Sequence, residues 1–139
     1  MAVSGFDHVA IPTRDVEQMI AFYRRLGFGI AGEEEWRAGT APIVSIQFGN
    51  SKINLHPPAI WSNAAFTLRG PTATPGCGDF CFVWDGDLDS LEQTLRDAGA
   101  EVEEGPVQRQ GGRDGGTAVG TSIYTRDPDR NLLEFIVYG

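Results

Sequence analysis

Apolar positions in the first part of the chain follow two different spacings. Residues 6–12 carry apolar side chains at alternate positions, which indicates a strand. Between Val16 and Leu26 the apolar residues fall three and four apart, which is typical of an amphipathic helix, and Gly27 can end it. Further strands are predicted at residues 28–36, 43–48 and 52–56. The order is therefore strand, helix and three strands.

The same order returns after a proline-rich linker at residues 57–78. The predicted elements of this second part are a strand at 79–84, a helix at 88–98, a short strand at 101–104, a glycine-rich loop at 105–116, and strands at 119–125 and 132–138. The chain thus holds an internal repeat of about 70 residues, carried by pattern more than by identity.

This repeat predicts a single α+β domain over residues 1–139. Module one covers about residues 5–57 and module two about residues 78–139. A ferredoxin-like domain with additional strands is an alternative that has a similar order of elements.

Composition narrows the classes of partner. The net charge of −8 and the sequence pI near 4.6 argue against nucleic acid and anionic lipid as partners. No apolar run approaches the roughly 20 residues that span a bilayer, and no signal peptide is visible. Cys77 and Cys81 are expected to be free thiols in a reducing cytosol. We therefore expect a cytoplasmic protein that binds a small molecule.

Four residues could carry metal chemistry. The two histidines lie in predicted strands, His8 in the first and His56 at the end of the fourth. Asp79 opens the first strand of module two, and Glu134 lies in its fourth strand. Under the repeat, His8 corresponds to Asp79 and His56 to Glu134, so we expect all four to meet in the crevice between the modules.

Imidazoles and carboxylates suit one divalent ion of Fe, Mn, Ni, Co or Zn, with positions left open for substrate. Glu134 strengthens this interpretation because strand alternation puts it on the same face as Leu132 and Ile136. A carboxylate on an apolar face needs a partner, and the alternative to a metal is an ion pair with an arginine. Each histidine taken alone is more often a hydrogen-bonded structural residue.

A pocket is expected beside these ligands. Cys81 should face the same side of its strand as Asp79, and Trp36 and Trp84 could supply apolar walls. Arg113, like Arg109, lies on the predicted glycine-rich loop and could meet an anionic substrate. That loop is interpreted either as a mobile lid or as a plain surface loop.

These motifs resemble the vicinal-oxygen-chelate superfamily of glyoxalases, bleomycin resistance proteins and dioxygenases. FDHVAIPTRDVEQMIAFYRRLGF resembles its opening strand and helix, and SIYTRDPDRNLLEF resembles its last hairpin. The closest branch resembles glyoxalase-domain-containing protein 5. The resemblance covers nearly the whole chain and implies two βαβββ modules, each with a curved mixed or antiparallel sheet, and a homodimer. It also implies a divalent metal held from the first and fourth strands, here His8, His56, Asp79 and Glu134.

Two positions depart from the family pattern. Many relatives have histidine where Asp79 stands, and an aspartate is short for reaching the metal. Whether the ligands are His8, His56 and Glu134 alone or also Asp79 therefore stays open. Arg130 replaces the usual glycine of the DPDGN turn.

The resemblance implies a metal-dependent isomerase or lyase of the glyoxalase type. Such an enzyme chelates adjacent substrate oxygens and forms an enolate-like intermediate, with Glu134 or Asp79 as the base. The alternatives are an Fe(II)-dependent dioxygenase, a metal-free ligand-binding protein of the bleomycin-resistance type and a fosfomycin-modifying transferase.

Overall fold

Eight strands and five short helices make up the computed structural model, which describes all 139 residues. The strands are β1 (His8–Pro12), β2 (Gly29–Ala31), β3 (Val44–Phe48), β4 (Ser51–His56), β5 (Asp79–Val83), β6 (Glu104–Gln110), β7 (Val119–Arg126) and β8 (Leu132–Val137). The helices are α1 (Val16–Arg25), α2 (Glu33–Arg37), α3 (Pro58–Trp61), α4 (Leu88–Ala98) and α5 (Arg113–Gly116). None of these helices is long and apolar enough to cross a membrane.

The chain divides into two units, Met1–Cys77 and Gly78–Gly139. The sheet of the first unit has the order β1-β4-β3-β2, and that of the second has the order β5-β8-β7-β6. In each sheet the first strand runs parallel to the fourth, and the other pairs are antiparallel. The predicted α+β class with two βαβββ repeats and mixed sheets is confirmed.

In the first unit, α1 begins at Asp15, whose carboxylate accepts a hydrogen bond from the backbone N–H of Gln18. The helix buries one face, and the sheet buries the side chains of alternate strand positions. The fully buried members of this core are Met19, Ile20, Tyr23, Ile46, Ile53 and Leu55. Because successive strand residues point to opposite faces, the alternate positions form a second, more polar face.

The second unit repeats this plan. Asp87 caps α4 by accepting from the N–H of Ser90, and Gly99 ends the helix in the left-handed conformation, with φ of 70°. The fully buried core residues of this unit are Leu91, Leu95, Ile123, Leu133, Phe135 and Ile136.

Residues 28–36 are not the single strand that their pattern predicts. β2 spans only Gly29–Ala31, and Gly32, with φ of 79°, turns the chain into α2. The acidic residues at the start of α2 favour a helix because they lie near its positive N-terminal end. Glu33 also pairs with Arg24 and Arg37, and Arg37 Nη2 lies 2.7 Å from Glu17 Oε2 on α1. These ion pairs hold α2 against α1.

Residues 105–116 are not the glycine-rich loop that we predicted. Half of this segment, residues 105–110, belongs to β6, which pairs with β7 and carries a bulge between Glu104 and Val107. Gly105, with φ of 111°, lies so close to β7 that a Cβ there would come 2.5 Å from the carbonyl oxygen of Ser122. Glycine therefore allows two backbones to approach closely here, rather than marking a flexible loop.

Candidate functional site

Glu134 lies in the middle of one face of the second sheet. It stands opposite Cys81 on β5 and opposite Tyr124 on β7 in the strand register. Directly paired residues share a face of a sheet, so the three side chains lie side by side. Alternation along β5 predicted that Cys81 shares a face with Asp79, and the register places Glu134 on that face as well.

Neutral donors surround the Glu134 carboxylate. The buried Ser122 Oγ donates a hydrogen bond of 2.6 Å to Glu134 Oε2. The Tyr124 hydroxyl and the Cys81 thiol are also hydrogen-bonding neighbours of this carboxylate. Burial, followed by the negative charge of Glu134, raises the pKa of the Cys81 thiol to about 12. Cys81 therefore stays protonated at neutral pH and serves as a donor.

Arg109 on β6 adds a cation to this face. Its Nε donates to the Tyr124 hydroxyl at 3.0 Å, and its guanidinium carbon lies 5.6 Å from the centre of the Tyr124 ring. Burial raises the pKa of Tyr124 above its ordinary value, so the hydroxyl keeps its proton. Arg109, Tyr124 and Glu134 thus form a chain of hydrogen-bonding neighbours across three strands. The sequence pattern predicted a loop at Arg109, whereas the residue lies on β6.

The turn between β7 and β8 fixes where β5 begins. Asp127 Oδ1 accepts from the backbone N–H groups of Asp129 and Asn131, at 2.9 and 3.0 Å. Asn131 Oδ1 in turn accepts from the N–H of Gly78 at 2.7 Å, and the Gly78 carbonyl accepts from the N–H of Leu132 at 3.0 Å. This buried network explains why the turn contains Asp127 and Asn131: their hydrogen bonds set the register of β5 against β8.

In the first unit, His8 and His56 lie on the same face of the sheet but far apart along it. His8 pairs with Lys52, and His56 pairs with Pro12, so four residues separate them along the paired strands. At about 3.3 Å per residue this is roughly 13 Å. Side chains on one face of a strand project roughly in parallel, so this register does not by itself bring the two imidazoles together.

The two histidines have different surroundings. His8 is 45% exposed, and its Nδ1 lies 2.6 Å from the carboxylate of Asp7. A carboxylate on one ring nitrogen orients the imidazole and directs Nε2 outward, as in many metal sites. His56 packs edge-on against Phe66, and burial followed by the charge of Arg69 lowers the pKa of His56 below its ordinary value.

The register also corrects the correspondence between the repeats. His8 and Asp79 each open the first strand of their unit, as predicted. Lys52 stands opposite His8 and Leu132 opposite Asp79. Two residues further along these fourth strands lie Asn54 and Glu134.

Asn54, and not His56, is therefore the counterpart of Glu134, and the predicted pairing of His56 with Glu134 is wrong. The two hairpins have turns of different length, at residues 49–50 and 127–131, and counting along the sequence hides this difference. Asn54 itself accepts a hydrogen bond of 2.7 Å from Ser45. The alternation of Lys52, Asn54 and His56 on one face was the signal that could have identified it.

The other expected pocket residues lie in different places. Trp84 belongs to the opposite face from Glu134: its ring meets Phe135 edge-on at 6.3 Å, and its indole N–H donates to Ser90. Trp36 lies on α2 rather than on a strand. Arg113 lies on α5, with its guanidinium carbon 4.2 Å from the centre of the Tyr138 ring. Of the expected pocket residues of this unit, the structure brings Cys81 to Glu134 but not Trp84.

Each unit contains a side chain of a type that divalent metals accept. His8 offers a ring nitrogen on an accessible strand end, and Glu134 offers a carboxylate held by hydroxyl and thiol donors. Nitrogen and oxygen donors of this kind bind Fe, Mn, Ni, Co and Zn. Within neither unit are three or more His, Cys, Asp or Glu side chains grouped as a metal site.

Comparison with known proteins identifies the family. The family model of the Glyoxalase/Bleomycin resistance protein/Dioxygenase superfamily matches residues 5–135. The chain belongs to this superfamily, as its motifs predicted.

Individual relatives agree with this assignment. Glyoxalase domain-containing protein RDO1 of Mycosarcoma maydis is 35% identical over 140 residues, which cover 99% of this chain and 70% of that protein. Virulence protein STM3117 of Salmonella typhimurium is 32% identical over 139 residues, covering 99% of this chain and 87% of that protein. The crystal structure of STM3117 matches with a TM-score of 0.83, 31% identity and complete coverage of both chains.

Proposed function

We propose that this chain is a divalent-metal-dependent, glyoxalase-like enzyme of the isomerase or lyase type. Its substrate would be a small molecule with two adjacent oxygens. The observation that carries this proposal is the surroundings of Glu134: its hydrogen-bonding neighbours are Ser122, Tyr124 and Cys81, not an arginine. A structural ion pair would have placed a guanidinium on the carboxylate itself. Here Arg109 donates to Tyr124 instead, and neutral donors orient the carboxylate and leave its charge for a metal or substrate.

Glu134 and His8 are the two ligands that we propose first. Each lies on the polar face of its sheet, and each is oriented by a neighbouring group, Ser122 for Glu134 and Asp7 for His8. Asp79 opens its strand at the position equivalent to His8 and is proposed as a further ligand. His56 is the weakest of the four predicted ligands, because the register places it roughly 13 Å from His8 along the strands.

The chain's own groups would then act as follows. A bound metal would polarise a substrate carbonyl and hold the adjacent oxygen. The Glu134 carboxylate would accept the proton from the neighbouring carbon, as a general base. Ser122 and Tyr124 keep that carboxylate in one orientation, so little reorganisation is needed during proton transfer.

Turnover of the glutathione–methylglyoxal hemithioacetal by protein loaded with Fe, Mn, Ni, Co or Zn tests this proposal. We expect isomerisation that a chelator abolishes and fresh metal restores. Glu134→Gln should lower kcat by about 100-fold or more, since general bases contribute on that order. Glu101→Gln removes an exposed carboxylate elsewhere in the same unit and is the matched control.

Other outcomes separate the alternatives. Oxygen uptake with catechols that requires Fe(II), without isomerisation, would identify a dioxygenase instead. A protein that takes up no metal at all would contradict both enzyme functions and would leave the metal-free binding protein.

A further inference from the structure

We propose that Arg109, anchored by Tyr124, binds a carboxylate group of the ligand that occupies the Glu134 face. This inference rests on the proposed function of Glu134 and adds a substrate class to it. The substrate would carry this carboxylate in addition to the two adjacent oxygens that the proposed metal would bind.

The position of Arg109 comes from the register of β6 against β7. Arg109 pairs with Gly120, and a Cβ at Gly120 would lie 2.6 Å from Ile136, so this position admits no side chain. With no side chain opposite it, Arg109 extends along β7 to the hydroxyl of Tyr124. Since Tyr124 stands opposite Glu134, the guanidinium lies at the edge of the Glu134 surroundings.

The guanidinium is held at one side and open at the other. Nε donates to the Tyr124 hydroxyl at 3.0 Å, and Nη1 donates to the carbonyl oxygen of Gln108 at 3.0 Å. Nη2 forms an ion pair with the exposed Glu104 at 3.6 Å, too far for a hydrogen bond. Such an exposed ion pair is weak, and Arg109 is 38% exposed, so an incoming carboxylate can reach Nη2 and compete with Glu104. A fixed guanidinium that can still donate from Nη2 is the arrangement that recognises carboxylates.

Two other arginines of the unit already contact neighbouring groups. Arg126 donates through Nε and Nη2 to both carboxylate oxygens of Glu103, each at 3.0 Å. Arg113 lies over the Tyr138 ring. In a chain of net charge −8, an anionic ligand requires a local cation to offset repulsion, and Arg109 is the arginine placed to supply it.

A purely structural role, in which Arg109 only holds Tyr124 in place, makes a different prediction. Such an arginine would affect charged and neutral ligands equally, whereas a carboxylate-binding arginine would affect only the charged one. The probes are therefore 2-oxoglutarate and its 5-methyl ester. Both carry the 2-oxo acid group, and they differ in one distal group, carboxylate or neutral ester.

The experiment measures dissociation constants of both probes by calorimetry, with cobalt-loaded and metal-free protein. We expect the wild type to bind 2-oxoglutarate at least roughly tenfold more tightly than its 5-methyl ester, as charge-assisted hydrogen bonds imply. Arg109→Gln should abolish this preference, and Arg109→Lys should keep part of it. Arg96→Gln, which removes an exposed arginine on α4, should leave the preference unchanged.

An equal preference in wild type and Arg109→Gln, or no preference in the wild type, would overturn the inference. Far-UV circular dichroism of each variant ensures that a lost preference does not come from unfolding. Cobalt stoichiometry, measured in the same samples, tests the proposed function separately. If no cobalt binds but the metal-free protein shows an Arg109-dependent preference, the metal proposal fails and the carboxylate site stands.

Discussion

At the scale of single residues, the chemistry of this protein depends on where strand alternation places a few polar side chains. Alternation along the sequence was enough to predict that Cys81 shares a face with Asp79, but only the pairing of β5 with β8 places Glu134 opposite Cys81. Asn54 was missed because its importance depends on the pairing of β1 with β4, which joins residues far apart in the chain. Local pattern gives a residue's face, whereas register comes from tertiary pairing.

Arg130 offers a test of a local conformation. It has φ of 73° in the turn before β8, where most family members have glycine. A side chain in the left-handed region costs about 1 kcal/mol or more, while glycine has an entropic cost of similar but smaller size. Arg130→Gly should therefore raise the free energy of unfolding by about 0.5 to 1 kcal/mol.

Chemical denaturation of wild type and Arg130→Gly measures this change. Arg130→Ala is the matched control, because it removes the same charged side chain but keeps a Cβ in the left-handed region. Equal stabilisation by both substitutions would show that charge, rather than backbone conformation, is responsible.

At the scale of elements, the sequence predicted secondary structure least well in two segments, one rich in glycine and one rich in acidic residues. The segment 105–116 looked like a loop because of its glycines, but Gly105 permits close approach of β6 and β7. The residues after Gly32 looked like a strand end, but the Glu33 carboxylate pairs with Arg24 and Arg37 in three dimensions. In both cases the decisive contact is with a residue that the local pattern does not include.

Gly105→Ala tests the close approach. Its Cβ would come 2.5 Å from the Ser122 carbonyl oxygen, and the backbone φ of 111° disfavours any side chain. We expect a loss of about 2 to 4 kcal/mol in the free energy of unfolding, measured by urea denaturation. Gly112→Ala is the control, since it has φ of −82° and open space around it, and should change stability little. A loss of similar size in both variants would mean that the close approach is not the cause.

The ion pairs between α1 and α2 predict a dependence of stability on pH. Hydrogen bonds from Arg37 and Arg24 lower the pKa of Glu17 and of Glu33 below 4.5 in the folded protein. A lowered carboxyl pKa stabilises the fold above the unfolded pKa, and this contribution is lost as pH falls through the folded pKa. Wild type should thus lose more stability between pH 6 and pH 3 than Arg37→Gln.

Urea denaturation across that pH range measures the difference, with Arg96→Gln as a control that breaks no ion pair. Parallel acid profiles for wild type and Arg37→Gln would contradict the role of the α1–α2 ion pairs.

At the scale of the whole molecule, the repeat and the family motifs predicted the architecture well. Both units have the same order of strands and helices, and the family match over residues 5–135 agrees with the motifs at both ends. The repeat is not chemically symmetric. The first unit places an amide, Asn54, where the second places a carboxylate, Glu134. Only the second unit surrounds that position with Ser122, Tyr124 and Arg109.

The central claim is that Glu134 binds a divalent metal, and calorimetric titration of purified protein with Co(II) tests it most directly. We predict saturable binding by wild type, weakened by about 100-fold or more in both Glu134→Gln and His8→Ala, because each removes a ligand. His56→Gln, roughly 13 Å from His8 along the strands, should bind nearly as well as wild type. Equal cobalt affinity in wild type and Glu134→Gln, or no binding by wild type, would contradict the account.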